Sequence, residues 1–451
     1  MADAPTVSEQ ESDLAAPHPG EDLRVVAEDP WIWCIALPLL FGALASIRLT
    51  IPSAPFFDEV HYLPAARELL AITEGNARYI NREHPLLGKE LIALGIQLFG
   101  DNPLGWRSMP LIAGIVALGA SMRALWHASH DRFATLAYGV LLATGFHLFV
   151  FARIAMLDIF MAAFLALAAW QFAAAIRQPE EGRWRLALTG VAIGCAMASK
   201  WNAVPLAMVP GLAFFAARLS AGRRRLVTSR RGIPVPGISL GEAFVWLGIV
   251  PLAVYAITFA PGYWLGDQFH PSPLGAKGLI GFHGEILDLQ RQVLAPHNYQ
   301  STWPQWVLNT RGIWFLYEFT DNAQRGVLLI GNPLTMLLGL PALAWCLVTG
   351  LWRADWAKVG VAVGYGLSLG LWLVAPKSVQ FYYHYFVPHF FLLAALALTF
   401  ADLCRSRYRW ASYVVLGSSV LLFAVFFKVL SADELEGPMS FAKWTWLVGW
   451  R

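Results

Sequence analysis

Long apolar segments alternate with short polar loops along most of this chain. A helix needs about 20 mostly apolar residues to cross roughly 30 Å of bilayer hydrocarbon. Eleven segments approach this requirement, and we predict that each forms a membrane-spanning helix. They are 31–51, 103–125, 133–151, 156–176, 186–201, 203–217, 244–264, 327–351, 356–375, 385–401 and 411–430. The sequence therefore predicts an all-α polytopic membrane protein.

Lys and Arg are concentrated in alternate loops, a pattern that places those loops in the cytoplasm. The five basic loops all agree in this phase: 123–132, 177–185, 218–231, 353–358 and 405–409. We therefore expect a cytoplasmic amino terminus and a non-cytoplasmic tail at 431–451. The two long loops, 52–102 and 265–325, then lie on the outer face. The first of them contains two amphipathic segments, 63–72 and 86–99, which we expect to form helices along the membrane interface.

The amino-acid composition also favours a membrane protein over a soluble one. Apolar residues make up 57% of the chain and charged residues 14%, against about 25% charged in a typical soluble domain. The four Cys are dispersed without metal-ligand spacing, and the net charge of +3 gives no reason to expect a nucleic-acid partner. Residues 1–30 hold eight acidic residues and one basic residue, so we predict a disordered acidic tail.

Ionisable residues recur where the predicted spans meet the outer face. Charges near or within spans are costly, so they are candidates for a functional site. Cations at headgroup depth also suit a lipid phosphate. Each residue alone has a simpler reading, because Asp58 and Glu59 could cap a helix and the cations could be solvated interfacial residues. The candidates are Asp58, Glu59, His61, His84, Lys89, Arg107, Arg153 and Lys200.

Aromatic residues cluster at two further outer positions. Segment 297–306 contains Tyr299 and Trp303, and segment 380–386 contains His384. Such side chains can stack on sugar faces or on peptide, although an interfacial aromatic belt has the same composition.

Seven motifs follow one another along the chain: FDEVH at 57–61, HPLLGK at 84–89, ARIAMLD at 152–158, SKW at 199–201, HNYQSTWP at 297–304, GNP at 331–333 and YHY at 383–385. In this order they resemble the motifs of the protein O-mannosyltransferases, which are also grouped as phospholipid-carrier-dependent glycosyltransferases. The resemblance covers about residues 31–430. Two departures stand out: Leu86 replaces the Pro that the family more often has, and the large soluble insert of eukaryotic members is absent, as in a bacterial-type member.

The resemblance implies a GT-C membrane fold over 31–430, a polyprenyl-phosphate sugar donor and inverting transfer on the outer face of the plasma or inner membrane. Mannose is implied by the resemblance alone. The family's matching Asp makes Asp58 the expected base, with Glu59 orienting the acceptor or tuning Asp58. Donor-phosphate binding is expected of Arg107, Lys200, Arg153, His84 and Lys89. His61, Tyr299, Trp303 and His384 are expected to shape the acceptor or sugar pocket.

Alternatives remain at this stage. The acceptor could be a Ser or Thr hydroxyl in a secreted or membrane protein, or instead a lipid or glycan. A transporter for a lipid-linked sugar and a structural partner of a transferase are further readings. The scheme requires no cofactor or metal, although Asp58, Glu59, His61 and His84 are residue types that bind divalent ions.

Overall fold

The computed structural model describes residues 28–70, 81–222, 225–260 and 278–451. Most of the predicted disordered tail, 1–30, and part of the loop 265–325 therefore lie outside the described residues. The helices are α1 Trp33–Ser46, α2 Glu59–Leu69, α3 Leu87–Phe99, α4 Pro103–Ser129, α5 Arg132–Thr144, α6 His147–Phe151, α7 Leu157–Arg177, α8 Gly182–Ser199, α9 Val204–Ala207, α10 Val209–Ser220, α11 Leu240–Phe244, α12 Val250–Ile257, α13 Gly278–Gln290, α14 Trp303–Val307, α15 Pro333–Arg353, α16 Trp356–Val374, α17 Phe386–Cys404 and α18 Arg409–Leu430.

The membrane-embedded character that the sequence predicts is confirmed. Within the described residues, eight helical segments are long and apolar enough to cross a membrane. Three further predicted spans coincide with helices α1, α5 and α8, of 14, 13 and 18 residues. The total of eleven spans therefore stays a prediction. The two amphipathic helices predicted in the first outer loop are present as α2 and α3.

Helix α7 packs most extensively against α4 and α8. The amino end of α4 also crosses α3 closely. A Cβ atom at Gly105 would lie 2.0 Å from the carbonyl oxygen of Gly100, so only glycine fits there. At the other end of α3, a Cβ atom at Gly88 would lie 2.8 Å from the side chain of Leu157, so the motif at 84–89 packs against the start of α7.

The sequence analysis did not anticipate a three-stranded antiparallel sheet. Strands β1, Ile313–Thr320, and β2, Ala323–Leu329, form a hairpin, and β3, Glu434–Leu435, pairs with β2. Its turn residues Asp321 and Asn322 have φ of 48° and 61°, as in the two-residue turns that suit strand twist. The predicted span 327–351 therefore begins too early, because 327–329 belongs to β2.

The carboxyl-terminal segment packs against this sheet. The indole Nε1 of Trp314 donates to the carbonyl oxygen of Trp450 at 3.0 Å. The Nε1 of Trp450 donates in turn to the carbonyl oxygen of Asn309 at 2.7 Å. The predicted tail at 431–451 is thus tied to the sheet by buried hydrogen bonds, on the same side of the bundle as α2.

Candidate active site

Asp58 directly precedes α2, on a sharp bend of the chain. Phe57 adopts a left-handed backbone conformation with φ of 50° and stacks on Phe315 at a centroid distance of 3.9 Å. Although Asp58 occupies the cap position of α2, its side chain makes no capping hydrogen bond. Its carboxylate instead accepts a long hydrogen bond, at 3.5 Å, from the Tyr62 hydroxyl. The simple capping interpretation of Asp58 therefore does not hold.

The electrostatic surroundings of Asp58 come from distant parts of the chain. Burial raises the pKa of its carboxyl group above the ordinary value, while the neighbouring Lys200 ammonium opposes that rise and Asp158 adds to it. Lesser contributions that lower the pKa come from His61 and Lys377. Asp58 is thus a half-buried carboxylate that shares one site with a lysine and a second carboxylate.

Lys200 and Asp158 form a buried ion pair at that site. The Nζ of Lys200 lies 2.7 Å from Oδ2 of Asp158, and both side chains are under 5% exposed. Helix α8 ends at Ser199, and the extended backbone of Lys200 turns its side chain toward the first turn of α7. The same ammonium lies over the ring of Tyr383 at 5.6 Å. The motifs at 152–158, 199–201 and 383–385 therefore meet beside Asp58.

Glu59 points away from this site into the protein. Its carboxylate forms a bidentate ion pair with Arg107, with both N–O distances at 2.8 Å and both side chains fully buried. The backbone N–H groups of Phe56 and Ala155 also donate to it, at 3.2 and 3.0 Å. Glu59 is therefore a fully hydrogen-bonded part of the scaffold directly behind Asp58.

The guanidinium of Arg107 likewise has all of its hydrogen-bond donors matched within the protein. Its five N–H groups are matched by the Glu59 carboxylate and by the carbonyl oxygens of Leu49, Pro52 and Ala54, at 2.8–3.3 Å. No donor is left over for a lipid phosphate. The structure therefore places Arg107 in the scaffold, and the expectation that it binds the donor is not supported by this arrangement.

Arg153 occupies a similar scaffold position. Its guanidinium donates to the backbone carbonyls of Ala45, Ile47, Arg48 and Ser431. These bonds tie the turn before α7 to the end of α1 and to the end of α18. Arg153 thus joins three parts of the bundle and does not face Asp58.

The motif at 84–89 contributes His84 to the site, and its Lys89 holds the backbone around His84. Lys89 is buried, and its ammonium donates to the carbonyl oxygens of Asn81 and His84, at 2.7 and 2.8 Å. Burial lowers the pKa of Lys89 to about 7. The His84 ring lies beside Tyr62, the hydrogen-bond partner of Asp58, with ring centroids 6.1 Å apart. Burial together with the nearby Lys200 and Lys377 holds the pKa of His84 well below the ordinary value.

The residues expected to form an acceptor or sugar pocket divide into two groups. His384 is buried, and it lines a small cavity together with Asp158, Trp372 and Tyr383. His61 and Trp303 are exposed and Tyr299 is half-buried. His61 acts on Asp58 electrostatically, whereas the structure records no contact between Tyr299 or Trp303 and Asp58.

Four residues at the site had no assigned role in the sequence analysis: Tyr62, Asp158, Lys377 and Tyr383. Asp158 and Tyr383 belong to recognised motifs, so the motif pattern could have found them. Lys377 lies in a short segment between two spans and carries no motif. Among the described residues, no group of three or more His, Cys, Asp or Glu side chains is arranged to hold a metal ion.

The chain is similar to known mannosyltransferases. A family model described as dolichyl-phosphate-mannose-protein mannosyltransferase matches residues 101–266. A polyprenol-phosphate-mannose–protein mannosyltransferase of Mycobacterium tuberculosis is 27% identical, over 89% of this chain and 88% of that protein. The chain is a membrane glycosyltransferase that resembles the protein O-mannosyltransferases.

Solved structures agree on the fold of this glycosyltransferase. The Saccharomyces cerevisiae protein O-mannosyltransferase complex Pmt1–Pmt2, bound to its sugar donor, contains a chain with a TM-score of 0.77 and 13% identity. The match covers 93% of this chain and 92% of that one. ArnT from Cupriavidus metallidurans, bound to undecaprenyl phosphate, has a TM-score of 0.53 and 16% identity over 89% of this chain and 76% of that one. The predicted GT-C membrane fold is confirmed.

Proposed function

We propose that this glycosyltransferase moves mannose from a polyprenyl-phosphate carrier to a Ser or Thr hydroxyl of a protein, with inversion at the anomeric carbon. The observation that carries the proposal is the position of Asp58 beside the Lys200–Asp158 ion pair. A carboxylate that can accept a proton lies next to a buried cation that can stabilise a phosphate. The names of the mycobacterial relative and of the matched family supply the sugar and the type of acceptor.

Asp58 acts as the general base. An acceptor hydroxyl is a weak nucleophile, and a positioned base typically contributes about 10²–10⁴-fold to the rate. As the hydroxyl oxygen attacks the anomeric carbon, its proton passes to the Asp58 carboxylate. The bond from that carbon to the phosphate oxygen breaks, and the electron pair leaves with the polyprenyl phosphate. A single displacement of this kind inverts the anomeric configuration.

The remaining candidates support this step in different ways. Lys200 stabilises the departing phosphate, and His84 assists it. The buried Glu59–Arg107 pair fixes the bend that presents Asp58, so these two residues are positioning residues. Lys89 holds the backbone that carries His84. The proposed reaction needs no metal or other cofactor, so turnover should be unchanged in the presence of a chelator.

The reaction takes place on the outer face of the plasma or inner membrane. The site lies at the beginning of α7 and before α17, whereas basic residues lie at or just after the other ends of these helices, at Arg177 and Arg405. Because basic loops face the cytoplasm, the site faces outward. Protease protection of a tag at 431–451 in intact cells would contradict this orientation.

The test of the acceptor uses purified protein in detergent with polyprenyl-phosphate mannose, a Ser/Thr peptide pool and a lipid extract. We expect a hexose on peptide, detected by mass. A hexose on lipid or glycan alone would keep the donor chemistry and overturn the protein acceptor. Mannose that crosses the bilayer of a proteoliposome without covalent attachment would instead support transport.

A further inference from the structure

His384 lies at the wall of the site without a partner for one of its ring nitrogens. The residue belongs to a single helical turn, Tyr382–Tyr385, immediately before α17, and its side chain is 4% exposed. Its ring packs on Trp372 at a centroid distance of 3.7 Å and lies 5.8 Å from the ring of Trp306. These contacts from α16 and α14 fix the plane of the imidazole.

A backbone hydrogen bond determines where the ring carries its proton. The N–H of Phe381 donates to Nδ1 of His384 at 3.0 Å. A nitrogen that accepts a hydrogen bond has no proton of its own, so the neutral ring carries its proton on Nε2. Nε2 is buried and has no hydrogen-bond partner within the described part of the chain. The ring therefore presents an unmatched N–H donor, which is costly to bury unless an acceptor arrives.

The cavity beside this donor is lined by Asp158, and two lysines lie near it. Lys377 and Lys200 are the two strongest charged neighbours of His384. Lys200 is already paired with Asp158, whereas Lys377 forms no ion pair with a carboxylate of the described residues. Burial and the nearby Lys200 lower the pKa of Lys377, while Asp58 and Asp158 raise it, so this second ammonium belongs to the same cluster of charges as the Lys200–Asp158 pair. Asp158 is already matched by Lys200, so the unmatched N–H group of His384 and the second ammonium are the groups that an anion could join here.

We propose that His384 is a neutral N–H donor to a phosphoryl oxygen of the lipid-linked substrate, and that Lys377 is the second cation of the same phosphate site. This inference rests on the proposed function, because that function supplies a phosphate next to Asp58. It changes the role expected of His384 from a sugar or acceptor contact to a phosphate contact. It also assigns a role to a lysine that carries no motif.

The test measures binding of undecaprenyl phosphate, which lacks the sugar, to the purified full chain in detergent. Three variants are compared with the wild type: His384→Phe, which keeps the stacking and removes the N–H group, His384→Gln, which restores an N–H group, and Lys377→Gln. Lys443→Gln is the matched control, since Lys443 is exposed and pairs with Glu436. Polyprenol without phosphate is the control ligand.

A hydrogen bond to a charged group is worth enough to change affinity by about 10- to 100-fold. We expect this loss in His384→Phe and in Lys377→Gln, recovery to within about threefold in His384→Gln, and no change in Lys443→Gln. None of the variants should alter binding of polyprenol. If both His384 variants fail to fold, Lys377→Gln alone decides the question.

Three outcomes would overturn the inference, and they are distinguishable. Wild-type affinity in both His384→Phe and Lys377→Gln would remove the phosphate site and leave the proposed function standing. A loss of affinity for the mannosylated donor but not for undecaprenyl phosphate would show that His384 contacts the sugar. A wild-type protein that does not bind undecaprenyl phosphate at all would overturn the proposed donor together with this inference.

Discussion

The Glu59 carboxylate accepts two hydrogen bonds of 2.8 Å from the Arg107 guanidinium, and no part of either side chain is exposed. One of the two residues adjoins Asp58 in the sequence, and the other contacts the segment before it in space. Glu59 follows it in the chain, whereas Arg107 comes from α4 and also binds the carbonyl groups of the segment before Asp58. The pair therefore determines the conformation of the backbone that presents the proposed base.

Breaking this pair should destabilise the fold, and the activity should fall because the fold is destabilised. Removing one partner of a buried ion pair typically costs about 3–5 kcal/mol, because the other charge stays buried and unpaired. We expect Glu59→Gln and Arg107→Gln to lower the melting temperature in detergent and to lose activity in parallel. The matched control is Arg67→Gln, which breaks the Arg67–Asp101 pair, where the side chains are 26% and 30% exposed.

An exposed pair of that kind is worth about 0.2–1 kcal/mol, so the control should shift the melting temperature only slightly. Glu59→Gln with wild-type stability and lost turnover would contradict the scaffold role. It would favour a direct role of Glu59 in catalysis.

Lys89 should be required for the position of His84. Lys89→Met removes two buried hydrogen bonds to the backbone at Asn81 and His84. We expect faster proteolytic cleavage at 81–84 and at least a tenfold loss of kcat/KM, with Lys443→Met as the control. Cleavage and activity equal to those of the wild type would show that the motif does not depend on this lysine.

The acid limb of the pH–rate profile should report Asp58. A general base works only when deprotonated, so kcat/KM should fall as the pH decreases through the pKa of Asp58. Burial raises that pKa above the ordinary carboxyl value of about 3.9. Lys200 opposes the rise, so Lys200→Gln should move the acid limb to still higher pH, while Lys443→Gln should leave it in place. An acid limb that stays unchanged in Lys200→Gln would show that Lys200 does not influence the pKa of Asp58.

The sequence predicted the fold well where a local pattern carries the information. Apolar segments of the right length located the helices of the bundle, and the amphipathic periodicity at 63–72 and 86–99 located α2 and α3. The hairpin was missed for a physical reason. Residues 327–330 are apolar and run directly toward α15, so a buried strand and the start of a span have the same pattern.

The site was predictable in part. The motifs identified Asp58 and Lys200, whose surroundings in the structure are those of one site. The partner of a buried charge depends on packing between distant segments, so the sequence did not distinguish Arg107 as a scaffold residue from Lys200 beside Asp58. Lys377 was missed because a lone lysine between two spans usually faces solvent.

The most direct test of the account is the transfer rate of Asp58→Asn. The assay uses full-length protein in detergent with polyprenyl-phosphate mannose and a Ser/Thr peptide, and Glu436→Gln serves as the control because Glu436 is an exposed carboxylate. We predict that Asp58→Asn retains donor binding and melting temperature and loses about 10²–10⁴-fold in kcat, while Glu436→Gln keeps the wild-type rate. Turnover of Asp58→Asn at the wild-type rate would contradict the assignment of Asp58 as the base.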